Sequence, residues 1–168
     1  MNLSQYIRDV ENFPIEGITF KDITPLLQNP EAFEYTIDQI AEKIKDVDII
    51  IGLDARGFLF AGALANKLHK PLNIVRKAGK LPYKTISIDY ELEYGKNTFE
   101  LNIDALQPGQ TVAIIDDLLA TGGTAKAACD LVEKLGGKVH SVNFVIELGF
   151  LNGAEVLKNY PIYSICKY

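Results

Sequence analysis

The chain has 168 residues, 48% hydrophobic and 23% charged, which suffices for one folded domain with a sizeable core but not for two ordinary ones. Its formal net charge of −5 disfavours a nucleic-acid partner held by phosphate attraction. Cys129 and Cys166 lack metal-ligand spacing and fit a reducing, cytoplasmic setting. The start contains no secretory signal and no apolar stretch could cross a bilayer, so we expect a soluble protein without a membrane partner.

The first clear element is a helix over residues 29–44. Asn29 can cap it, Pro30 suits its first turn, and its apolar residues recur on one face: Phe33, Ile37, Ile40 and Ile44. Residues 48–54 are apolar and rich in β-branched side chains, which predicts a buried strand. A loop and helix follow, and then a second strand over residues 71–77.

The second half continues this alternation after an irregular stretch. Residues 80–102 are polar, aromatic and partly alternating, which indicates a loop or hairpin excursion from the main sheet. The remaining segments predict three strands, at residues 111–116, 139–148 and 162–168, and one helix, at residues 124–135, that ends at Gly136 and Gly137.

Alternating strands and helices predict an α/β fold, with a largely parallel twisted sheet flanked by helices. In such sheets, ligands bind at the carboxyl ends of the strands. Candidate chemistry should therefore lie at residues 54–57, directly after Val75, and at residues 116–124. His69 is interpreted as the end of a helix and His140 as strand surface, since neither has a ligand partner at metal spacing.

The segment VAIIDDLLATGGTAKAA, residues 112–128, carries the strongest functional signal. Its glycines let consecutive N–H groups converge on an anion, its threonines add hydroxyl donors, and the next helix presents its positive end. The predicted ligand-binding residues are Leu118, Ala120, Thr121, Gly122, Gly123 and Thr124. Asp116 and Asp117 supply acceptors for ribose hydroxyls and favour a nearby divalent cation. The alternative is an ordinary strand end with solvated aspartates and a capped helix.

This segment resembles the phosphoribosyl-diphosphate signature of the type I phosphoribosyltransferases, and DDLLATGGT is similar to the members that use adenine. Four further motifs agree in order along the chain: residues 13–27, 52–61, 74–82 and 89–96. The resemblance implies one phosphoribosyltransferase domain over residues 1–168, with a base-binding hood at about 1–30 and a flexible lid at about 80–102. It also implies transfer from 5-phosphoribosyl 1-diphosphate to adenine, Mg²⁺ bound mainly through substrate, and a homodimer.

The resemblance assigns the basic residues near two strand ends to the departing diphosphate. Arg56 would hold it at a turn where the family strains the backbone, with a non-proline cis peptide as the hypothesis. The alternative makes Asp54 a helix cap and Arg56 a surface charge. Arg76, Lys77 and Lys80 would add positive charge, and the arginine is implied to reach a partner subunit's site; otherwise this turn is solvated surface.

By the same resemblance, Phe20 stacks on the purine, and main-chain groups near Ile18 and Lys21 read the edge of the ring. The alternative for Phe20 is a core aromatic. Glu93 is the candidate acid or base on the lid and Tyr94 a lid contact, against an exposed charge beside a packed tyrosine. Two rival functions stay open: transfer to hypoxanthine or guanine, and a phosphoribosyl-diphosphate-sensing regulator without catalysis.

Overall fold

The computed structural model describes residues 1–91 and 96–168, and the chain divides into two compact units, Met1–Gln39 and Ile40–Tyr168. The first unit opens with a short 3-10 helix, Leu3–Tyr6, and an antiparallel pair of strands, β1 (Arg8–Glu11) and β2 (Thr19–Asp22). Helix α1 (Thr24–Gln28) follows, and α2 (Pro30–Ile44) spans the point of division.

Helix α2 forms as its sequence predicts. The Asn29 side chain accepts a hydrogen bond from the N–H of Ala32 at 2.9 Å, so it caps the first turn. The spacing of apolar residues buries Ile37, Ile40 and Ile44, whereas Phe33 is only partly buried. The predicted cap and most of the predicted apolar face are confirmed.

The second unit is built on a seven-stranded sheet. Its strands are β3 (Ile49–Leu53), β4 (Leu72–Lys77), β5 (Thr85–Glu91), β6 (Lys96–Asn102), β7 (Thr111–Leu119), β8 (Lys138–Glu147) and β9 (Ile162–Lys167). They lie in the order β5-β6-β4-β3-β7-β8-β9, with parallel pairing from β4 to β9 and antiparallel pairing of β6 with both neighbours. The helices are α3 (Gly57–Leu68), α4 (Gly123–Lys134) and the short α5 (Gly153–Val156).

The core of this unit explains why the central strands are so apolar. Every residue of β3 is buried, since the strand has neighbours on both sides and is covered above and below. Strands β4, β7 and β8 contribute Val75, Ile114 and Phe144 to the same cluster, and helix α4 contributes Leu131. This mostly parallel sheet flanked by helices confirms the predicted fold class.

Three stretches differ from the pattern-based expectation. Residues 85–91 and 96–102 form a hairpin that pairs with β4, so they extend the main sheet instead of leaving it. Strand β7 continues through both aspartates to Leu119, because β8 pairs with it up to Glu147. The strands β1 and β2 lacked a sequence signal, since their residues are mostly exposed or only partly buried. The predicted lid tip falls on residues 92–95, outside the described residues.

Candidate active site

A cleft of about 350 Å³ opens at the carboxyl end of the parallel sheet. Three stretches line it: the turn after β3, the last residues of β7, and the loop that leads into α4. Its lining includes Asp54, Arg56, Asp117, Thr121 and Thr124. The strand-end rule thus brought the sites predicted at residues 54–57 and 116–124 into one cleft.

The cleft forms because β3 is shorter than its neighbour β7. The last paired residues of the two strands are Gly52 and Ile115, so β7 extends past them without β3 as a partner on that side. The start of α3 packs against that side of β7 at very close range. A Cβ on Gly57 would lie 2.7 Å from the Ile115 carbonyl oxygen and 2.9 Å from Asp116 Oδ1, and only glycine fits there.

The two aspartates of β7 lie in different surroundings. Asp117 is 4% exposed, whereas Asp116 is partly exposed and its Oδ1 accepts the N–H of Asp117 at 2.9 Å. Burial raises the pKa of Asp116 well above its ordinary value, and the neighbouring Asp117 charge adds to that effect. Burial also raises the pKa of Asp117, and the Arg56 guanidinium only partly offsets it. Ligand hydroxyls or a cation would stabilise both carboxylates.

Arg56 lies at the turn between β3 and α3, where the peptide bond Asp54–Ala55 is cis. This confirms the expected non-proline cis peptide. Arg56 Nε is 2.8 Å from Asp117 Oδ2, so the two side chains form an ion pair. The Arg56 side chain is 39% exposed, so it borders the open cleft.

The loop before α4 has the form that an anion site requires. Gly122 has a φ of 85° and precedes the first helical residue, Gly123, with no side-chain cap. Within the described part of the chain, no backbone acceptor engages the N–H of Thr121 or Gly122. These amides and the first turn of α4 are therefore available to a ligand.

The predicted basic turn adjoins this cleft through Asp54. Arg76 Nε lies 3.1 Å from Asp54 Oδ2, and the guanidinium carbon of Arg76 is 5.9 Å from the centre of the Phe58 ring. Lys77 and Lys80 are exposed at the tip of the turn. The alternative that makes Asp54 a helix cap is wrong, because α3 has no side-chain cap and Asp54 pairs with Arg76 instead.

In the first unit, Phe20 lines a separate pocket of about 250 Å³ together with Val10, Phe13 and Asp22. The rings of Phe13 and Phe20 meet edge to face, with centroids 5.2 Å apart. The N–H and carbonyl of Ile18 take part in hydrogen bonds of the local turn, to Ile15 and Phe13.

The Lys21 side chain forms an ion pair with Asp9, whose carboxylate is 2.7 Å from Lys21 Nζ, so this charge is already engaged within the first unit. Glu93 and Tyr94 lie outside the described residues. His69 lies at the end of α3, as predicted, and the structure gives it a left-handed conformation; His140 is half-buried beside Ser141.

The comparisons with known proteins agree with this geometry. The family model for the phosphoribosyl transferase domain matches residues 23–163. An adenine phosphoribosyltransferase of Mycoplasma mobile is 55% identical over 166 residues, which cover 99% of this chain and 96% of the relative. The chain belongs to the phosphoribosyltransferase family.

Solved structures of family members extend the agreement to the fold. The adenine phosphoribosyltransferase of Thermoanaerobacter pseudethanolicus has a TM-score of 0.95 at 48% identity, and the match covers 99% of this chain and 98% of that one. The yeast enzyme of Saccharomyces cerevisiae, crystallised with an imino-altritol bisphosphate and adenine, has a TM-score of 0.92 at 42% identity, with 97% and 96% covered. The resemblance stated from the sequence motifs is confirmed.

Sequence reasoning missed two residues of this phosphoribosyltransferase that touch the phosphate loop. Burial raises the pKa of the Tyr90 hydroxyl and the nearby Thr124 side chain partly offsets this, while the centroid of the Tyr90 ring lies 4.9 Å from that of Phe99. Gly153 lies against Ala120 and Gly122. Tyr90 lies close to the predicted lid residues, and its sequence indicated no role of its own. Gly153 lies in a stretch for which the sequence predicted neither an element nor a role.

Two features are absent from the described part of the chain. Across residues 1–91 and 96–168, no group of three or more His, Cys, Asp or Glu side chains is arranged to hold a metal ion. In the same residues, no helix has the length and apolar character needed to cross a membrane.

Proposed function

We propose that this chain transfers the phosphoribosyl group of 5-phosphoribosyl 1-diphosphate to adenine, giving AMP and diphosphate. The observation that carries the proposal is the cleft itself, in which a buried and a partly exposed carboxylate, Asp117 and Asp116, stand two residues before a loop of available amides. In the transfer, the bond from C1′ to the diphosphate oxygen breaks and a bond from C1′ to a ring nitrogen forms. That nitrogen then loses its proton.

The donor's pentose phosphate fits the β7 side of the cleft. Amides of residues 121–124 and the hydroxyls of Thr121 and Thr124 would bind the 5-phosphate, at the positive end of α4. Asp116 and Asp117 would accept hydrogen bonds from the ribose hydroxyls. Their raised pKa values support this role, because hydroxyl donors stabilise the charged form that burial disfavours. Leu118 and Ala120 would contribute main-chain contacts.

The diphosphate would lie at the β3 side, where Arg56 is partly exposed beside the cleft. Lys77 and Lys80 would add charge from the exposed turn, and Arg76 would act through its pair with Asp54. Mg²⁺ fits this arrangement, because Asp116 and Asp117 present carboxylates to the cleft and Mg²⁺ uses few protein carboxylates beside waters and phosphate oxygens. When bound, it neutralises charge on the departing diphosphate.

The base would be held in the first unit. The pocket beside Phe20 is small and aromatic, which suits a flat heterocycle, and one such stacking contact is worth about 1–3 kcal/mol. Main-chain groups near Ile18 and Lys21 would read the ring edge. Glu93 would manage the proton at the ring nitrogens, and Tyr94 would contact the reacting groups.

We further propose a cytoplasmic homodimer. Both cysteines are free and buried, which fits a reducing compartment. Large apolar side chains stand exposed on the second unit, including Leu59, Leu72 and Ile103, and a second copy of the chain would cover such surface. Light scattering coupled to size exclusion would read the oligomeric state directly; a monomer at micromolar concentration would contradict the dimer.

The function is tested by incubating the protein with Mg²⁺, phosphoribosyl diphosphate and one free base at a time. We expect AMP and diphosphate from adenine, and little product from hypoxanthine or guanine. Preference for one of the latter two would establish the alternative base specificity. Donor binding without transfer to any of the three would favour the regulator.

A further inference from the structure

The phosphate loop, residues 120–124, is contacted by a distant part of the chain. We name residues 152–157 the backing segment; it begins at Asn152, whose φ is 55°, and contains helix α5. Gly153 is buried in it, and Leu157 is 0% exposed as a member of the core cluster. The backing segment is therefore fixed to the core of the second unit.

Backbone meets backbone where the loop and the backing segment touch. A Cβ on Gly122 would lie 2.5 Å from the Gly153 carbonyl oxygen and 3.1 Å from Val156 Cβ. A Cβ on Gly153 would overlap the Ala120 carbonyl oxygen and lie 3.0 Å from the Gly122 nitrogen. Neither glycine can gain a side chain unless the loop or the backing segment moves.

The chain just before the backing segment is tied to the strands of the sheet. The N–H of Leu148 donates to the Leu119 carbonyl at 2.9 Å, and the N–H of Gly149 donates to the Tyr168 carbonyl at 2.8 Å. Leu119 is the last residue of β7 and directly precedes the phosphate loop. The loop is consequently held at its root by the hydrogen bond to Leu119 and from the side by Gly153.

We propose that Gly153 is a positioning residue for the donor's 5-phosphate. It holds residues 120–122 in the curvature at which the loop amides point to one place, and it does not itself touch the substrate. Hydrogen bonds from amides to phosphate oxygens weaken steeply with misalignment, so a small shift of the loop loses several at once. This inference rests on the phosphate-binding role proposed for the loop.

The test is Gly153→Ala, with Gly62→Ala as the matched control. Gly62 lies inside α3, and a Cβ there meets no atom within 4 Å, so we expect wild-type kinetics from the control. For Gly153→Ala we expect the Kd for ribose 5-phosphate and the KM for phosphoribosyl diphosphate to rise about 10- to 100-fold. The KM for adenine, at saturating donor, should stay within about twofold.

A second variant guards against a failure of Gly153→Ala to fold. Val156→Gly removes the Cβ that faces Gly122, at a side chain that is 46% exposed, and should raise the Kd for ribose 5-phosphate about two- to fivefold because the backing segment then holds the loop less firmly. Calorimetry with ribose 5-phosphate gives the readout for both variants, and thermal unfolding reports on the fold.

The outcomes distinguish phosphate binding by the loop from positioning of the loop by Gly153. A wild-type protein that binds neither ribose 5-phosphate nor the donor would refute the role proposed for the loop. Wild-type binding together with unchanged binding in a folded Gly153→Ala protein would overturn the positioning role alone. Equal losses for adenine and ribose 5-phosphate would also overturn it. If Gly153→Ala does not fold, unchanged ribose 5-phosphate affinity in Val156→Gly shows that contact with the backing segment does not hold the loop, and this decides against the positioning role.

Discussion

Replacing Asp117 by Asn should separate the chemistry of the cleft from its stability. The substitution keeps the shape of the side chain and removes one negative charge that is 4% exposed and has Arg56 Nε at 2.8 Å. It also removes a charged acceptor for a ribose hydroxyl. Because a hydrogen bond to a charged group contributes about 1.5–3 kcal/mol, we expect kcat/KM for the donor to fall about 10- to 150-fold.

The stability of the protein should change far less. Arg56 is 39% exposed on its side chain, so water can solvate its charge once the partner is gone, and the lost pair costs only about 0–1 kcal/mol. Removing a carboxylate whose pKa burial raises acts in the opposite, stabilising direction, because that charge is unfavourable in the folded state at neutral pH. We expect the melting temperature to stay within about 4 °C of the wild type.

Asp48→Asn is the matched control, because Asp48 joins the same two strands at their opposite ends. Its carboxylate accepts hydrogen bonds from the N–H of Thr111 at 2.7 Å and from the Thr111 hydroxyl at 2.8 Å. The Thr111 N–H lowers the pKa of Asp48, so the stability from its charge is lost as the pH falls below the ordinary value of 3.8. The control should therefore melt slightly lower at neutral pH and keep full activity.

Steady-state rates with varied donor and saturating adenine, beside thermal unfolding of the same samples, give both quantities. Near-normal kcat/KM in Asp117→Asn would refute the role of this carboxylate in ribose binding. A loss of activity that follows a loss of folded protein would refute the claim that the cleft charge is unfavourable before ligand binds.

Three further outcomes are expected. Phe20→Ala should raise the KM for adenine about 5- to 150-fold and spare the donor KM, while Phe150→Ala, at a side chain 70% exposed, changes neither; equal losses for both substrates would indicate packing instead. Tyr90→Phe should raise the donor KM about 2- to 10-fold by releasing Thr124, and unchanged steady-state kinetics would contradict this. Burial raises the pKa of Cys129 to about 12, so Ellman's reagent at pH 8 should modify it at least about 1000-fold more slowly in the native than in the unfolded protein; modification of Cys129 within minutes would contradict its burial.

Residue patterns within a single helix or strand predicted the fold well, whereas contacts between elements were harder to predict from the sequence. The apolar run of β3 and the cap of α2 act locally, so the sequence carries their full signal. The strand-end rule brought Arg56, Asp117 and Thr121 into one cleft, because parallel strands place their carboxyl ends at the same edge. The sequence predicted too short a β7, since aspartate is uncommon in strands and the pairing of β7 with β8 overrides that low propensity.

The missed contacts share a physical cause. Gly153 matters because its backbone approaches Ala120 and Gly122, and a glycine that permits close approach has no local pattern that marks it. Tyr90 lies near Thr124 because β5 belongs to the sheet, which its polar and alternating sequence did not predict. Both contacts depend on the tertiary arrangement of segments that are far apart in sequence.

The short strand β3 gives the cleft its position and its electrostatics together. If β3 continued beside β7, the open side next to Asp116 would be paired, and α3 could not start there with Gly57 against the Ile115 carbonyl. The same ending places Arg56 beside Asp117 and leaves both carboxylates in surroundings that raise their pKa values. A Gly57→Ala substitution should therefore disturb both aspartates at once, since the added methyl group would meet Asp116 Oδ1 at 2.9 Å.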